Sequence, residues 1–287
     1  MKMKNEFCDI LQQLVTINTN LGEPFKAKAY KTAFDKIETL SIDITDITDI
    51  KDVVGKSAFN RLSEYVETGK VEFIEQERSN ILHTFAEIYG IGPKKARELS
   101  QTIKTLDELR SNEDLLNSKQ KIGLKWYEDM KKRIPRIEID LYYLRLRVIM
   151  RDFPNAAEIV GSYRRGTMDS GDIDIIFTSK NPTDFQDFVK KFQDEQIIVD
   201  MLSFGKKKSM CFAKLDDAHP ARRLDFMYTK PEEYHAAILY FTGSKAFNVK
   251  MRSIAKDKGY SLNEYGLFDL KTKRPVTFFT SEKQIFD

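Results

Sequence analysis

Cysteine, histidine and tryptophan are scarce in this chain, with 2 Cys, 3 His and 1 Trp among 287 residues. Cys8 and Cys211 lie far apart and join no CxxC or Cys/His cluster. That excludes a structural zinc finger and points to free thiols in a reducing compartment rather than a disulfide staple. No apolar run approaches the roughly 18 residues of a membrane helix, and the stretch from Met1 to Cys8 lacks the apolar core and cleavage site of a secretory signal. The expectation is a soluble intracellular protein with no membrane partner. Charge of one sign is lacking too: 47 Lys+Arg against 44 Asp+Glu leave only +3, too little to demonstrate a polyanionic partner. Apolar residues are not lacking. Hydrophobic residues make up 41%, with 20 Phe and 12 Tyr, which excludes a disordered chain, and the length suits about two domains of roughly 150 residues.

The charge is unevenly spread. Ile88 to Arg136 carries 12 Lys+Arg against 7 Asp+Glu, whereas Met1 to Asn60 carries 8 against 9, so the middle segment is where phosphate contacts are expected. The first 140 residues read as helices. Phe7, Ile10, Leu11, Leu14 and Val15 form one apolar stripe, Phe25 to Phe34 continues in that style after Pro24 in the first turn, and further helices are predicted over Ser57–Glu67, closed by Gly69, and Arg78–Tyr89. After Pro135 the texture turns β-rich, with strands predicted at Glu158–Val160, Asp172–Phe177, Ile197–Leu202, Met210–Leu215 and Arg223–Tyr228. A helix carrying Phe185, Phe188, Val189 and Phe192 falls among them. The fold expected is multidomain α+β, with the halves meeting near Arg136–Leu141.

Two motifs carry chemistry. In Tyr89-Gly90-Ile91-Gly92-Pro93-Lys94-Lys95 the glycines permit a tight bend, Pro93 opens a helix, and the free amides beside Lys94 and Lys95 make a phosphate site. The pattern is that of a helix-hairpin-helix. Asp52-Val53-Val54-Gly55-Lys56-Ser57 reads as a degraded copy, with Val53 in place of the first glycine. The second motif runs from Gly161-Ser162-Tyr163-Arg164-Arg165-Gly166 into Gly171-Asp172-Ile173-Asp174-Ile175-Ile176-Phe177. Strand alternation puts Asp172, Asp174 and Ile176 on one face and Ile173, Ile175 and Phe177 in the core. Two carboxylates roughly 6–7 Å apart at Cα need a cation between them. Hard oxygen ligands suit Mg²⁺, and a pair of such ions is the clamp for in-line attack on phosphorus. Ser162, the loop amides, Arg164 and Arg165 are placed to hold the departing oxyanion. Asp225 supplies a third acid on a neighbouring strand, as metal ligand or general base.

These residues, together with Tyr240-Phe241-Thr242-Gly243-Ser244, Phe247-Asn248 and Met251-Arg252, resemble the family X DNA polymerases of the beta type over nearly the whole chain. The resemblance implies an N-terminal helical domain of the lyase type, binding gaps and 5′-phosphates, over 1–84, helical fingers with a helix-hairpin-helix over 85–140, a nucleotidyltransferase-type palm with a small mixed sheet over 141–232 and a thumb over 233–287. It implies a DNA-directed DNA polymerase that fills short gaps during repair, acting as a monomer on gapped or nicked duplex DNA with dNTPs, in the nucleus or another DNA-containing compartment. Asp172, Asp174 and Asp225 would hold two Mg²⁺, with Mn²⁺ able to substitute. Arg133, Ser162, Arg165 and Gly171 match triphosphate contacts, while Tyr240, Phe241, Gly243, Lys245 and Asn248 match positions beside the nucleotide. Lys26, Gly90, Gly92, Lys94, Lys95, Arg223, Arg252 and Tyr265 match DNA contacts. Carbonyls at Ala86, Ile88 and Ile91 match a site for Na⁺ or K⁺.

Departures accompany the match. Arg61 stands where the family's lyase has its Schiff-base lysine, and a guanidinium stays protonated, so lyase activity is doubtful unless Lys56 or Lys70 substitutes. Lys245 replaces an acid, and Met227 replaces an arginine that exchanges partners during closure. No proofreading domain and no partner-recruiting domain is expected. Three rival readings remain: a non-catalytic gap-binding module, a template-independent terminal transferase and an RNA-tailing nucleotidyltransferase. The first has no need of three acids, Asn248 and Arg252 speak against the second, and the Tyr240-Phe241 segment speaks against the third.

Overall fold

The structure, a computed structural model, describes residues 2–153, 156–276 and 279–286. The chain divides into two compact units, Met1–Lys125 and Trp126–Asp287.

The first unit is helical: α1 (Lys2–Leu21), α2 (Pro24–Thr39), α3 (Lys56–Thr68), α4 (Glu72–Glu77), α5 (Ile81–Glu87), α6 (Pro93–Thr102), α7 (Leu106–Ser111) and α8 (Ser118–Lys125). The apolar stripe of α1 builds its core, Phe7, Leu11 and Leu14 packing with Tyr30, Ala33 and Ile37 of α2 and Ala58 and Leu62 of α3. Pro24 occupies the first turn of α2, whereas Phe25 beside it is exposed. Gly69 ends α3 at φ +75°, its N–H on the Tyr65 carbonyl. The helix expected over 78–89 is shorter. Asn80 caps α5, its side chain accepting from Leu82 N–H, and the chain leaves helical geometry at Ile88.

The second unit contains α9 (Tyr127–Met130), β1 (Ile134–Pro135), α10 (Arg136–Ile149), β2 (Ala156–Ile159), α11 (Gly161–Arg164), β3 (Asp169–Ser170), β4 (Ile173–Thr178), α12 (Thr183–Asp194), β5 (Ile198–Phe204), β6 (Lys208–Ala213), β7 (Arg222–Thr229), α13 (Tyr234–Thr242), α14 (Lys245–Asp257), β8 (Tyr260–Asn263) and β9 (Gly266–Asp269). Its start at Trp126 lies about ten residues before the change in sequence texture. The Trp126 indole donates to Asp200 at 2.7 Å, and its ring packs on Phe212, so this aromatic belongs to the sheet that follows.

The main sheet has the order β2-β4-β7-β6-β5, with β4 and β7 parallel and the other pairs antiparallel. One face is covered by α10 and α12: Ile173, Ile175 and Phe177 pack with Ile139, Tyr142, Phe185 and Phe188, and the Phe177 and Phe188 rings stack at 4.4 Å. The other face is covered by α13, where Val160, Ile176 and Met227 pack with Ala237 and Ile238. Ile176 shares the face of Asp174, yet it is fully buried rather than facing a site. The polar face predicted by alternation extends only as far as α13 leaves the sheet uncovered, so Asp174 lies at the edge of an apolar floor.

Candidate active site

Asp174 on β4 and Asp225 on β7 are direct partners in the parallel pair. Neighbouring strands run about 4.8 Å apart, so the register sets two carboxylates side by side. Asp225 is no strand-edge acid: β7 has β4 on one side and β6 on the other, and Asp225 is 6% exposed. Burial and the adjacent Asp225 charge push the Asp174 carboxyl up to about 6, with Lys208 and Arg165 pulling the other way. Asp172, one residue ahead of β4, pairs with Arg223, whose Nε also lies 3.4 Å from Asp225 Oδ1. Lys208 Nζ is 3.5 Å from the other Asp225 oxygen. Neither cation satisfies Asp225 fully, because its buried Oδ1 and the Arg223 Nε both lack a hydrogen-bond partner.

Among the described residues no three His, Cys, Asp or Glu side chains are gathered as a ready metal centre. The close pair is Asp174 and Asp225, and the third acid is held by Arg223. Three carboxylates repel one another unless countercharge joins them, and here Arg223 and Lys208 provide it. The donor set fits a divalent cation all the same: hard oxygens, one buried and unpartnered, and one carboxyl whose ionisation its neighbour opposes. A proton and a cation compete for Asp174. Divalent-ion affinity, followed by titration calorimetry, is therefore expected to be flat above about pH 7 and to fall below about pH 6, approaching tenfold per unit. An affinity constant across that range would remove Asp174 from the ligand set.

Gly161 explains why the loop before the acids begins with glycine. Its φ is +62°, and a Cβ there would lie 2.6 Å from Asp174 Oδ2. The Ser162 hydroxyl donates to Ser170 Oγ at 2.7 Å.

Beside the carboxylates opens a cleft of about 550 Å³ whose lining includes Ser162, Arg165, Asp172, Asp174, Tyr240, Phe241, Gly243, Lys245, Asn248 and Arg252. Most of the predicted nucleotide contacts are thus brought together. The Gly243–Ser244 peptide there is cis, Arg165 donates to the Thr242 carbonyl at 2.6 Å, and Asn248 donates to the Tyr240 carbonyl while its buried Oδ1 has no partner. Two predicted contacts are not brought in. Arg133 is held by Asp169 at 2.7 Å, and Gly171 lines a separate small hollow with Asp129 and Arg222. Arg164, expected among the oxyanion holders, is instead bound by Glu158 and Glu282 and donates to Thr242 Oγ1. Glu158 is six residues away, but Thr242 and Glu282 lie far off in sequence, and spacing gives no sign of them. Tyr265 lies apart too, in a hollow with Lys207, Lys208, Lys230 and Glu264, with the Lys207 ammonium 6.0 Å from its ring centre.

In the first unit, Gly90 turns the hairpin at φ +85°. Gly92 has ordinary φ and open space where a Cβ would be, so only the first glycine is demanded by the bend. Pro93 begins α6 as expected; Lys94 is exposed and Lys95 pairs with Glu98. Of the three carbonyls matched to a cation, Ala86 sits in the last turn of α5, Ile88 accepts from Ile91 N–H at 3.0 Å and Ile91 follows the turn. At the predicted degraded copy, Gly55 precedes α3 as its N-terminal boundary residue. Lys26 is exposed beside Glu23. Arg61 pairs with Glu64 at 3.0 Å and lies over the Phe73 ring; burial disfavours its charge, but Glu64 and Tyr30 together outweigh that and hold the guanidinium more firmly protonated than usual.

A helical unit with a tight turn at Gly90, followed by a mixed sheet with acids on adjacent parallel strands and a helical segment flanking the cleft, defines a nucleotidyltransferase-type palm with a thumb. Comparison with known proteins agrees piece by piece. Family models match a helix-hairpin-helix domain at residues 3–71, the fingers domain of DNA polymerase lambda at 83–131, the DNA polymerase beta palm at 133–231 and the DNA polymerase beta thumb at 237–287. The chain is 29% identical to DNA polymerase lambda of Arabidopsis thaliana over 323 residues, covering 99% of this chain and 60% of that protein. It is 28% identical to DNA polymerase lambda of Rattus norvegicus over 263 residues, covering 86% and 46%. In tandem these models match most of the chain, which is thus similar along its length to the family X DNA polymerases. It spans about half of the curated relatives it matches, 60% of one and 46% of the other.

Proposed function

We propose that this chain is a DNA-directed DNA polymerase that fills short gaps in duplex DNA during repair, wherever in the cell that DNA lies. The observation that carries the reading is the register pairing of Asp225 with Asp174, which itself lines a cleft with arginine, lysine and aromatic side chains. Two divalent ions, Mg²⁺ or in its place Mn²⁺, would be held by Asp172, Asp174 and Asp225 and would supply charge for in-line displacement at phosphorus. Asp225 takes the primer hydroxyl proton, directly or through water. The 3′-oxygen bonds to the α-phosphorus as the bond from that phosphorus to the bridging oxygen breaks, and pyrophosphate leaves with those electrons. Arg165 and Ser162 steady the triphosphate; Tyr240, Phe241 and Gly243 lie along the sugar; Asn248 and Arg252 read the new base pair and template. Arg223 and Tyr265 touch DNA, with Lys26 on a 5′-phosphate and the hairpin at Gly90 to Lys95 on primer phosphates, where carbonyls of Ala86, Ile88 and Ile91 seat Na⁺ or K⁺. Arg133, matched to a triphosphate contact, and Arg164, read as an oxyanion holder, lie outside the cleft and would have to leave Asp169 in the first case and Glu158 and Glu282 in the second to join it.

Primer extension on a one-nucleotide gap tests the reading. Metal-dependent, template-directed incorporation is expected, and the Asp172→Ala, Asp174→Ala double variant is expected to bind the gap but not extend it. Normal extension by that folded double variant would remove the assigned site. Tight gap binding with no transfer under any divalent ion would favour the non-catalytic module, and extension of a lone single strand would favour a terminal transferase. A parallel borohydride trap on a 5′-deoxyribose-phosphate end is expected to capture nothing at Arg61, whose guanidinium is paired and protonated.

A further inference from the structure

Helix α10 is apolar on two faces. Ile139, Tyr142, Leu146 and Ile149 are buried in the palm core, while Ile137, Leu141, Leu144 and Val148 on the outer face are 72%, 41%, 60% and 53% exposed. Their spacing of four, three and four residues keeps a single seam along about 20 Å of helix. Scattered exposed apolar residues need no explanation, but a contiguous seam of four on one helix marks a contact surface.

Of the charges on this helix, Glu138 is buried against two Arg222 nitrogens, Arg136 donates to the Tyr163 and Thr167 carbonyls, and the half-buried Asp140 accepts from the Tyr163 hydroxyl. Arg145 and Arg147 flank the outer seam, exposed, and neither has an ion-pair partner among the described residues. We propose that this seam is a docking surface for an amphipathic helix of a partner protein whose apolar stripe is bordered by Asp or Glu. Charge complementarity selects that occupant over a second copy of this chain. Two copies joined seam to seam would bring Arg145 and Arg147 of each copy toward one another, while Glu138 stays buried against Arg222 and Asp140 stays hydrogen-bonded to Tyr163, and such flanking charges decide which helices pair. None of the seam residues lines the cleft beside Asp174, so an occupant leaves the polymerase site open.

Labelled synthetic helical peptides test this on the full chain, one with Leu and Ile at the same spacing bordered by Glu, the other bordered by Lys. The Glu peptide is expected to bind saturably, at least about tenfold more tightly than the Lys peptide, as read by fluorescence anisotropy. Leu141→Ser, Leu144→Ser should weaken it about tenfold or more. Arg145→Glu, Arg147→Glu, which leaves the apolar seam intact, should reverse the preference toward the Lys peptide. Equal binding of the two peptides, no saturable binding of either, or a preference unmoved by the charge reversal would overturn the proposal. So would a dimer in sedimentation that Leu144→Ser dissolves, since the occupant would then be a second copy.

Discussion

Asp225→Ala is expected to reduce single-turnover incorporation by about 10³-fold or more while leaving the fold in place. Charge stabilisation by metal ions at a reacting phosphate is worth several kcal/mol, and about 1.4 kcal/mol corresponds to tenfold in rate. Stability should change little, because repulsion from Asp174 offsets the ion pairs with Lys208 and Arg223 that hold Asp225. It faces Asp174 across the strand pair, and its buried Oδ1 has no hydrogen bond to lose. Removing it also takes away the like charge that helps hold the Asp174 carboxyl near 6. Thermal melts with and without divalent ion separate the two effects. The metal-free variant should melt at or above the parent, and the rise in melting temperature that the ion gives the parent should be smaller in the variant. A variant that extends primers within tenfold of the parent would show that the acid is not used in transfer.

The largest expected loss of stability comes from Glu138→Ala. Glu138 and Arg222 form a bidentate pair at 2.7 Å, with both side chains less than a tenth exposed, and Arg222 adds a bond to the Lys132 carbonyl at 3.0 Å. Deleting the carboxylate strands a guanidinium inside the protein, at a cost of about 3–5 kcal/mol. In a unit of this size that lowers the melting temperature by on the order of 10 °C. Arg222 begins β7, three residues before Asp225, so incorporation should fall as well. Replacing the pair together, as Glu138→Leu with Arg222→Met, should recover most of the melting temperature, because no charge is then left buried. A Glu138→Ala protein melting within about a degree of the parent would show the pair to be of no structural consequence.

Much of the molecule can be read along the chain where cause and effect are local. The 3.6-residue spacing of Phe7, Leu11 and Leu14 marks α1. The phenylalanines at 185, 188 and 192 mark α12, and Gly90 and Pro93 mark the turn into α6. Five strand stretches and the acids at 172, 174 and 225 are visible for the same reason, since alternation and composition need only neighbours a few residues away.

Other features depend on partners distant in sequence. Ile176 has the alternation of a site-facing residue, but α13 covers it. Arg164 has the composition of a phosphate clamp, but Glu282, more than a hundred residues later, holds it. Gly161 is explained only by the Asp174 oxygen that approaches it.

The sequence by itself determined the first helices, α12, the five strands of the main sheet, the hairpin at Gly90 and the identity of the three acids, because each rests on local periodicity, backbone permissiveness and side-chain chemistry. Only the tertiary structure decided that Asp174 and Asp225 stand in register, that Arg223 and Lys208 supply their countercharge, and that one face of α10 is left bare. Those outcomes depend on which strands pair and which helices cover them, and pairing between segments some fifty residues apart is settled by burial and charge compensation in three dimensions.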